Sequence, residues 1–164
     1  MTSNRDIDNY LSRKIQNIDI YPAGGYDEWE RYLHSIKSLR AWGMVVNTDP
    51  SGASGQHWFA IVVYGTSKLA VVYDPLGTHD AFYITPRRMM RILTKDGFKV
   101  ASELSPDQHP PSRLKVNRQC GEISCDVLVE LDKLGLNPSY EQLVKALDRI
   151  HKKHATTIPE ILHT

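Results

Sequence analysis

Two apolar segments on either side of a short polar turn constrain the fold of this chain more than any other feature. Residues 56–64 (QHWFAIVVY) and 68–73 (KLAVVY) are rich in the β-branched and aromatic residues that favour strands. Residues 65–67 (GTS) lie between them, which is a spacing typical of a β-hairpin. Because residues 41–47 (AWGMVVN) read as another buried strand, we predict a three-stranded antiparallel sheet.

Helical patterns lie on both sides of this sheet. Apolar residues recur at helical spacing near both ends of the chain, Asp27 and Ser139 are in place to cap helices, and Thr85-Pro86 is typical of a helix start. The predicted helices are residues 4–17, 29–36, 85–93, 121–134 and 139–152, with one more strand at 98–104 and loops at 48–55 and 105–112. This order of elements predicts an α+β fold.

Length and composition limit the class of protein. With 164 residues, 41% hydrophobic and 24% charged, the chain is long enough to bury its own core, and we predict one domain over residues 1–164. The formal net charge of +1 does not indicate a nucleic-acid-binding protein. Residues 1–8 lack the apolar segment of a signal peptide, and no apolar run approaches the roughly 20 residues that span a bilayer. We expect a soluble protein of the cytosol or nucleus.

Cys120 is the strongest candidate for a catalytic residue. It precedes Gly121 at the start of a predicted helix, where peptide dipoles favour a thiolate and backbone N–H groups can bind an oxyanion. The second cysteine, Cys125, lies further along the helix and is expected to face the core. Taken alone, a cysteine is more often a buried packing residue than a nucleophile.

His57 and Asp74 are placed to assist such a nucleophile. They lie at matched ends of the predicted hairpin, whose strands run about 5 Å apart, so the two side chains can lie side by side. A carboxylate that accepts a hydrogen bond from imidazole orients the ring and stabilises its charged form. Either residue alone is more often a packing histidine or part of an ordinary turn, but with Cys120 they predict one mechanism.

The order and spacing of several motifs resemble the adenain family, the maturation proteases of adenoviruses. The matching residues are Asn47-Thr48, Gly55-x-His57-Trp58, Ser67-Lys68, Asp74-Pro75-x-Gly77-x-x-Asp80, Cys120-Gly121 and Tyr140-Glu141-Gln142-Leu143. The order His-Trp, acid, Cys-Gly also marks the wider superfamily of SUMO-specific proteases. The resemblance covers residues 26–152. It implies a central, mostly antiparallel sheet flanked by helices, with the nucleophile at a helix N-terminus.

The resemblance also implies roles for individual residues. His57, Asp74 and Cys120 correspond to the catalytic triad, although the acid of adenain is Glu. Trp58 is implied to pack under the site and to offer its backbone N–H to the oxyanion hole. No metal is implied.

This chain departs from the family at the oxyanion glutamine. The family places Gln six or seven residues before the nucleophile, where this chain has Leu114 and Arg113. Gln119, which immediately precedes Cys120, is the replacement that we predict.

The implied function is that of a cysteine endopeptidase that cleaves capsid precursors of a virus or virus-like element. Such an enzyme acts at the assembly site in the host cytoplasm or nucleus and is packaged in the virion. The sequence requires no cofactor, but the family uses a disulfide-linked peptide and DNA as activators. This chain lacks the cysteine for that disulfide. Arg87, Arg88, Arg91 and the run His151–His154 are candidates for weak DNA binding, although a solvated face is favoured.

Two alternatives stay open at this point. A protease for ubiquitin or SUMO has the same chemistry and differs in its partner. A zinc-binding interaction domain built on Cys120, Cys125 and histidines is the other alternative, but no second ligand pair follows at finger spacing.

Overall fold

The computed structural model of the protein describes residues 3–35, 40–49, 57–75, 84–102 and 116–155, with the side chains of 35, 116–119 and 155 left out. The helices in these ranges are α1 (Asn4–Lys14), α2 (Tyr26–Ser35), α3 (Ile84–Lys95), α4 (Val116–Asp132) and α5 (Tyr140–Ala155). The strands are β1 (Asp19–Ile20), β2 (Gly24–Gly25), β3 (Ala41–Asn47), β4 (Trp58–Tyr64), β5 (Leu69–Tyr73) and β6 (Lys99–Ser102). The predicted loop at 105–112 lies outside the described residues.

The described strands form one mixed sheet in the order β1-β3-β4-β5-β6. The pairs β3–β4 and β4–β5 are antiparallel, as predicted for the three central strands. The flanking pairs are parallel: β1 and β2 both lie along the free edge of β3, and β6 pairs with β5. The hairpin closes at the pair Tyr64–Leu69, and Lys68 completes its turn in the left-handed conformation with φ 55°. The α+β class is therefore confirmed.

Helices cover both faces of the sheet, so its central strands are buried on both sides. Along β4, Trp58, Ala60, Val62 and Tyr64 face a core with α1, α4 and α5, whereas Phe59, Ile61 and Val63 face a core with α2 and α3. This alternation follows the two-residue period of a strand. Burial on both faces explains why residues 58–64 read as a continuous apolar run.

Several predicted helix boundaries are wrong. Helix α4 begins at Val116 and not at Gly121, so Cys120 lies in its second turn. Helix α2 begins at Tyr26, which places Asp27 inside the first turn and not at the N-cap. Helix α3 begins at Ile84, one residue before the predicted cap. The predicted capping box of α5 is confirmed, since Ser139 and Gln142 exchange reciprocal hydrogen bonds of 3.1 and 2.8 Å.

Candidate active site

His57 and Asp74 form a short, fully buried hydrogen bond at one end of the sheet. His57 immediately precedes β4 and Asp74 immediately follows β5, so the antiparallel register brings them together. The distance from His57 Nε2 to Asp74 Oδ1 is 2.6 Å, and the two residues are 0% and 2% exposed. A bond of this length between ionisable partners is charge-assisted, and in this low-dielectric site it fixes the plane of the imidazole ring.

Cys120 of helix α4 lies against the start of β4. The backbone N–H of Trp58 donates to Cys120 Sγ at 3.4 Å, and the cysteine is 1% exposed. Cys120 also interacts electrostatically with His57. Since Nε2 of His57 is engaged by Asp74, Nδ1 is the ring nitrogen that remains for the sulfur. The structure therefore brings together the three side chains that were predicted as a triad, and their catalytic roles stay a prediction.

The charge state of His57 follows from this arrangement. Burial is the largest single effect on the pKa of His57, and it lowers that pKa. The charge and hydrogen bond of Asp74 and the interaction with Cys120 act in the opposite direction. Together they outweigh burial and raise the pKa from 6.5 to about 10. His57 is therefore an imidazolium at neutral pH.

The helix dipole contributes less to the site than the sequence suggested. The effect of the dipole is confined to the first turn of a helix, and Cys120 is the fifth residue of α4. At that position its backbone N–H faces the carbonyl of Val116 within the helix. The backbone N–H of Trp58, which points at the sulfur, is a better placed donor than the N–H of Cys120. Gln119 lies on the same helix, but its side chain is outside the described residues.

Close packing fixes α4 against the sheet. A Cβ atom on Gly43 of β3 would lie 2.9 Å from Leu128 Cδ2, so only glycine lets α4 approach this closely without a shift. At the end of the helix, the Asp132 carboxylate accepts hydrogen bonds of 2.8 to 3.0 Å from the backbone N–H groups of residues 16–18. These contacts hold α4, the helix that carries Cys120, against the sheet and against the segment that follows α1.

A second chain of hydrogen bonds holds His57 from the opposite direction. The backbone N–H of Thr48 donates to the carbonyl of His57 at 2.9 Å. The hydroxyl of Thr85, in the first turn of α3, donates to the carbonyl of Thr48 at 3.1 Å. The start of α3 therefore lies at the end of the sheet that carries His57. No sequence pattern predicted this link, since it joins residues that are 37 positions apart.

Cys125 has a different environment from Cys120. It is 0% exposed within the core formed with α1, α4 and α5, and burial raises the pKa of its thiol to about 12. The two cysteines are five positions apart along the helix, which places them about 140° apart around its axis. They do not converge on one ligand, and no group of three His, Cys, Asp or Glu side chains in the described ranges is arranged for a metal ion.

The two predicted basic clusters differ in their surroundings. In the run His151–His154, His151 is buried, Lys152 pairs with Asp148, and both Lys153 and His154 contact Asp126. These contacts neutralise most of the run. On α3, Arg88 pairs with Glu30 at 2.9 Å, whereas Arg87 and Arg91 are exposed.

No protein-family model and no curated protein sequence matches this chain. Among solved structures, it is similar to AvrA delL154 with IP6 and CoA, with 14% sequence identity and a TM-score of 0.49. The match covers 79% of this chain and 48% of that one, so the chain spans about half the length of its neighbour. None of the helices in the described part of the protein is long and apolar enough to cross a membrane.

Proposed function

We propose that this protein is a cysteine endopeptidase with Cys120 as nucleophile, His57 as the proton-transfer group and Asp74 as the carboxylate that orients it. The observation that carries the proposal is the buried arrangement in which Cys120 meets both His57 and the backbone N–H of Trp58, while Asp74 holds His57. A cysteine that serves only packing needs no such partners, and Cys125 has the apolar surroundings expected of one.

The resting state in this proposal is a thiolate beside an imidazolium. The thiolate attacks the carbonyl carbon of the scissile peptide bond, and His57 gives its proton to the departing amine. This leaves a thioester between Cys120 and the acyl part of the substrate. His57, now neutral, takes a proton from water, the resulting hydroxide attacks the thioester, and Cys120 leaves as a thiolate. Asp74 stabilises the imidazolium at both steps, which is why its charge matters.

The tetrahedral intermediates carry an oxyanion that needs hydrogen-bond donors. We assign the backbone N–H of Trp58 as one donor, because it already points at Cys120 Sγ. In the intermediate this sulfur is bonded to the carbon that carries the oxyanion. We propose Gln119 as a second donor, on the basis of its position next to Cys120 in the sequence.

The biological role that we propose for this peptidase rests on the motif resemblance. It is the maturation of capsid precursors from a virus or virus-like element, with cleavage at the assembly site in the cytoplasm or nucleus of the host. A peptide or DNA activator and packaging into the virion belong to the same proposal. A protease of ubiquitin-like modifiers has the same chemistry, so only the substrate separates these two functions.

The experiment that tests the proposed chemistry compares wild-type protein with Cys120→Ala on an unbiased peptide library, with product termini identified by mass spectrometry. Cys125→Ala is the matched control, because it removes the other thiol. We expect new termini from wild type and Cys125→Ala and none from Cys120→Ala. Cleavage that survives in Cys120→Ala would refute the proposal. Transfer of the acyl group to an added amine, with no hydrolysis, would identify an acyltransferase instead.

The substrate class is tested with fluorogenic SUMO and ubiquitin, in which the folded modifier precedes the scissile bond. We expect the peptides found in the library to be cleaved much faster than either modifier. If a modifier is the better substrate by kcat/KM, the maturation function is wrong and the modifier protease is right.

A further inference from the structure

A stripe of positive charge runs along the exposed face of α3. Arg87, Arg91 and Lys95 are spaced at i, i+4 and i+8, which places them in one row, and all three are exposed. Ile84 begins the same row and is 74% exposed, the most exposed of the large hydrophobic residues that the structure describes. We call these four residues the α3 stripe. The opposite face of the helix, with Met89 and Leu93, is fully buried.

Within the ranges that the structure describes, no acidic side chain pairs with the charges of the α3 stripe. Helix α3 contains no acidic residue. Arg88, the remaining cation before the last turn, is paired with Glu30, but no ion pair joins the stripe to any residue in the described ranges. The chain as a whole has a net charge of only +1, so this local excess is not a consequence of a generally basic protein. It contrasts with the run His151–His154, which its neighbours neutralise.

The stripe begins beside the candidate active site. Thr85, adjacent to Ile84, donates to the carbonyl of Thr48, and the N–H of Thr48 donates to the carbonyl of His57. From there α3 runs away from the site, and its three cations cover about 12 Å at 1.5 Å per residue. Cys120 lies on the opposite face of the sheet from α3, so only a polypeptide segment that extends from the site around this end of the sheet meets Ile84 first and then the cations.

We propose that the α3 stripe binds an acidic segment of the polypeptide substrate, with an apolar residue on the side nearest the scissile bond. This inference rests on the proposed peptidase function. An extended chain covers 12 Å with about four residues, so the preferred segment is one apolar residue followed by a short acidic run. Three cations and an exposed isoleucine suit such a segment better than a nucleic acid, because a protein that makes six to ten phosphate contacts needs a larger basic surface than this row provides.

The test compares peptides that the wild-type protein cleaves, extended on either side of the scissile bond by Leu and four Glu, or by Leu and four Gln. At about 20 mM salt we expect the Glu extension on one side to raise kcat/KM about fivefold, since exposed ion pairs contribute modestly. At about 500 mM salt this preference should vanish because of screening. Arg87→Gln with Arg91→Gln should remove the preference and leave cleavage of the Gln peptide unchanged.

The matched control is Lys145→Gln with Arg149→Gln, an exposed i, i+4 pair on α5 at the other face of the sheet. It removes the same charge and should keep the preference. Equal kcat/KM for the Glu and Gln peptides overturns the inference and leaves the proposed function standing. Loss of the preference in the control overturns it too, since net charge would then explain the effect.

A binding assay separates this inference from the peptidase proposal. Fluorescein-labelled Leu-Glu-Glu-Glu-Glu is titrated with Cys120→Ala protein, with and without the two α3 substitutions, by fluorescence anisotropy. Salt-sensitive binding that the α3 substitutions weaken about fivefold supports the inference even if no peptide is cleaved. Absence of binding overturns it. The inference is also overturned if a labelled single-stranded oligonucleotide binds more tightly than the peptide and the substitutions of Arg87 and Arg91 remove that binding.

Discussion

Replacing Asp74 by Asn tests the electrostatic role of the carboxylate while its shape is kept. The carboxylate lies 2.6 Å from His57 Nε2 in a site where both side chains are at most 1% exposed, so solvent screens the interaction little. Asn can still accept a hydrogen bond from the ring, but it carries no charge. Because the Asp74 charge is the first of the effects that raise the pKa of His57, its removal lets burial pull that pKa down.

The size of the effect follows from this arrangement. A close opposite charge shifts a pKa by about one to three units, so the alkaline limb of kcat/KM, expected near pH 10 in wild type, should move down by about that amount. Loss of efficient proton transfer should lower kcat by about 10²–10⁴. The assay is kcat/KM on one peptide from pH 6 to 11, with the pKa of His57 followed by NMR of its ring proton.

Stability provides a second readout of the same change. A histidine with a raised pKa contributes stability that is fully present below its ordinary pKa of 6.5 and is lost as pH rises through about 10. The free energy of unfolding of wild type should therefore approach that of Asp74→Asn as pH rises across this window. Asp148→Asn, which removes an exposed carboxylate, is the control and should change neither profile. Wild-type rates and an unmoved alkaline limb in Asp74→Asn would refute the role of Asp74.

Four further predictions concern the triad acid, the two cysteines, the oxyanion donor and the anchor of α4. Asp74→Glu should keep the alkaline limb near that of wild type but cost about 1–3 kcal/mol in unfolding, because a methylene is added at a position that is 2% exposed. Iodoacetamide should modify Cys120 well before Cys125, whose thiol has its pKa raised to about 12, and equal rates by peptide mapping would contradict this. Gln119→Ala should lower kcat at least about tenfold with little change in KM, whereas Arg113→Ala should act less; the reverse would place the second oxyanion donor on the preceding segment. Asp132→Ala should lower the free energy of unfolding by about 3 kcal/mol or more in urea, since it leaves three backbone N–H donors without their acceptor, and a loss below about 1 kcal/mol would show that water replaces the carboxylate.

The parts of the fold that the sequence predicts are those governed by neighbouring residues. The hairpin of β4 and β5 is set by its turn and by two apolar runs, and its register brings His57 and Asp74 to the same end of the sheet. The capping box of α5 depends on two side chains three residues apart. In both cases the physical cause lies within a few positions along the chain.

The features that the sequence does not predict depend on contacts between distant segments. Strands β1 and β2 have two residues each, too few for any periodicity, and they exist because the edge of β3 offers hydrogen bonds. The sequence just before Cys120, residues 116–119 (VNRQ), has no recurring apolar pattern that would indicate the first turn of α4. The approach of Trp58 to Cys120 depends on how α4 packs against β4. Such packing is decided by shape across the sheet and leaves no local signal.

The central claim is that Cys120 forms a thioester with the acyl part of a cleaved peptide. Its most direct test is intact-protein mass spectrometry of acid-quenched reactions between the protein and a cleaved peptide, within the first turnovers. We predict an adduct with the mass of the acyl product, mapped to Cys120, which disappears with hydroxylamine and is absent from Cys120→Ala but present in Cys125→Ala. Turnover without any adduct at Cys120, or an adduct that persists in Cys120→Ala, would contradict the claim.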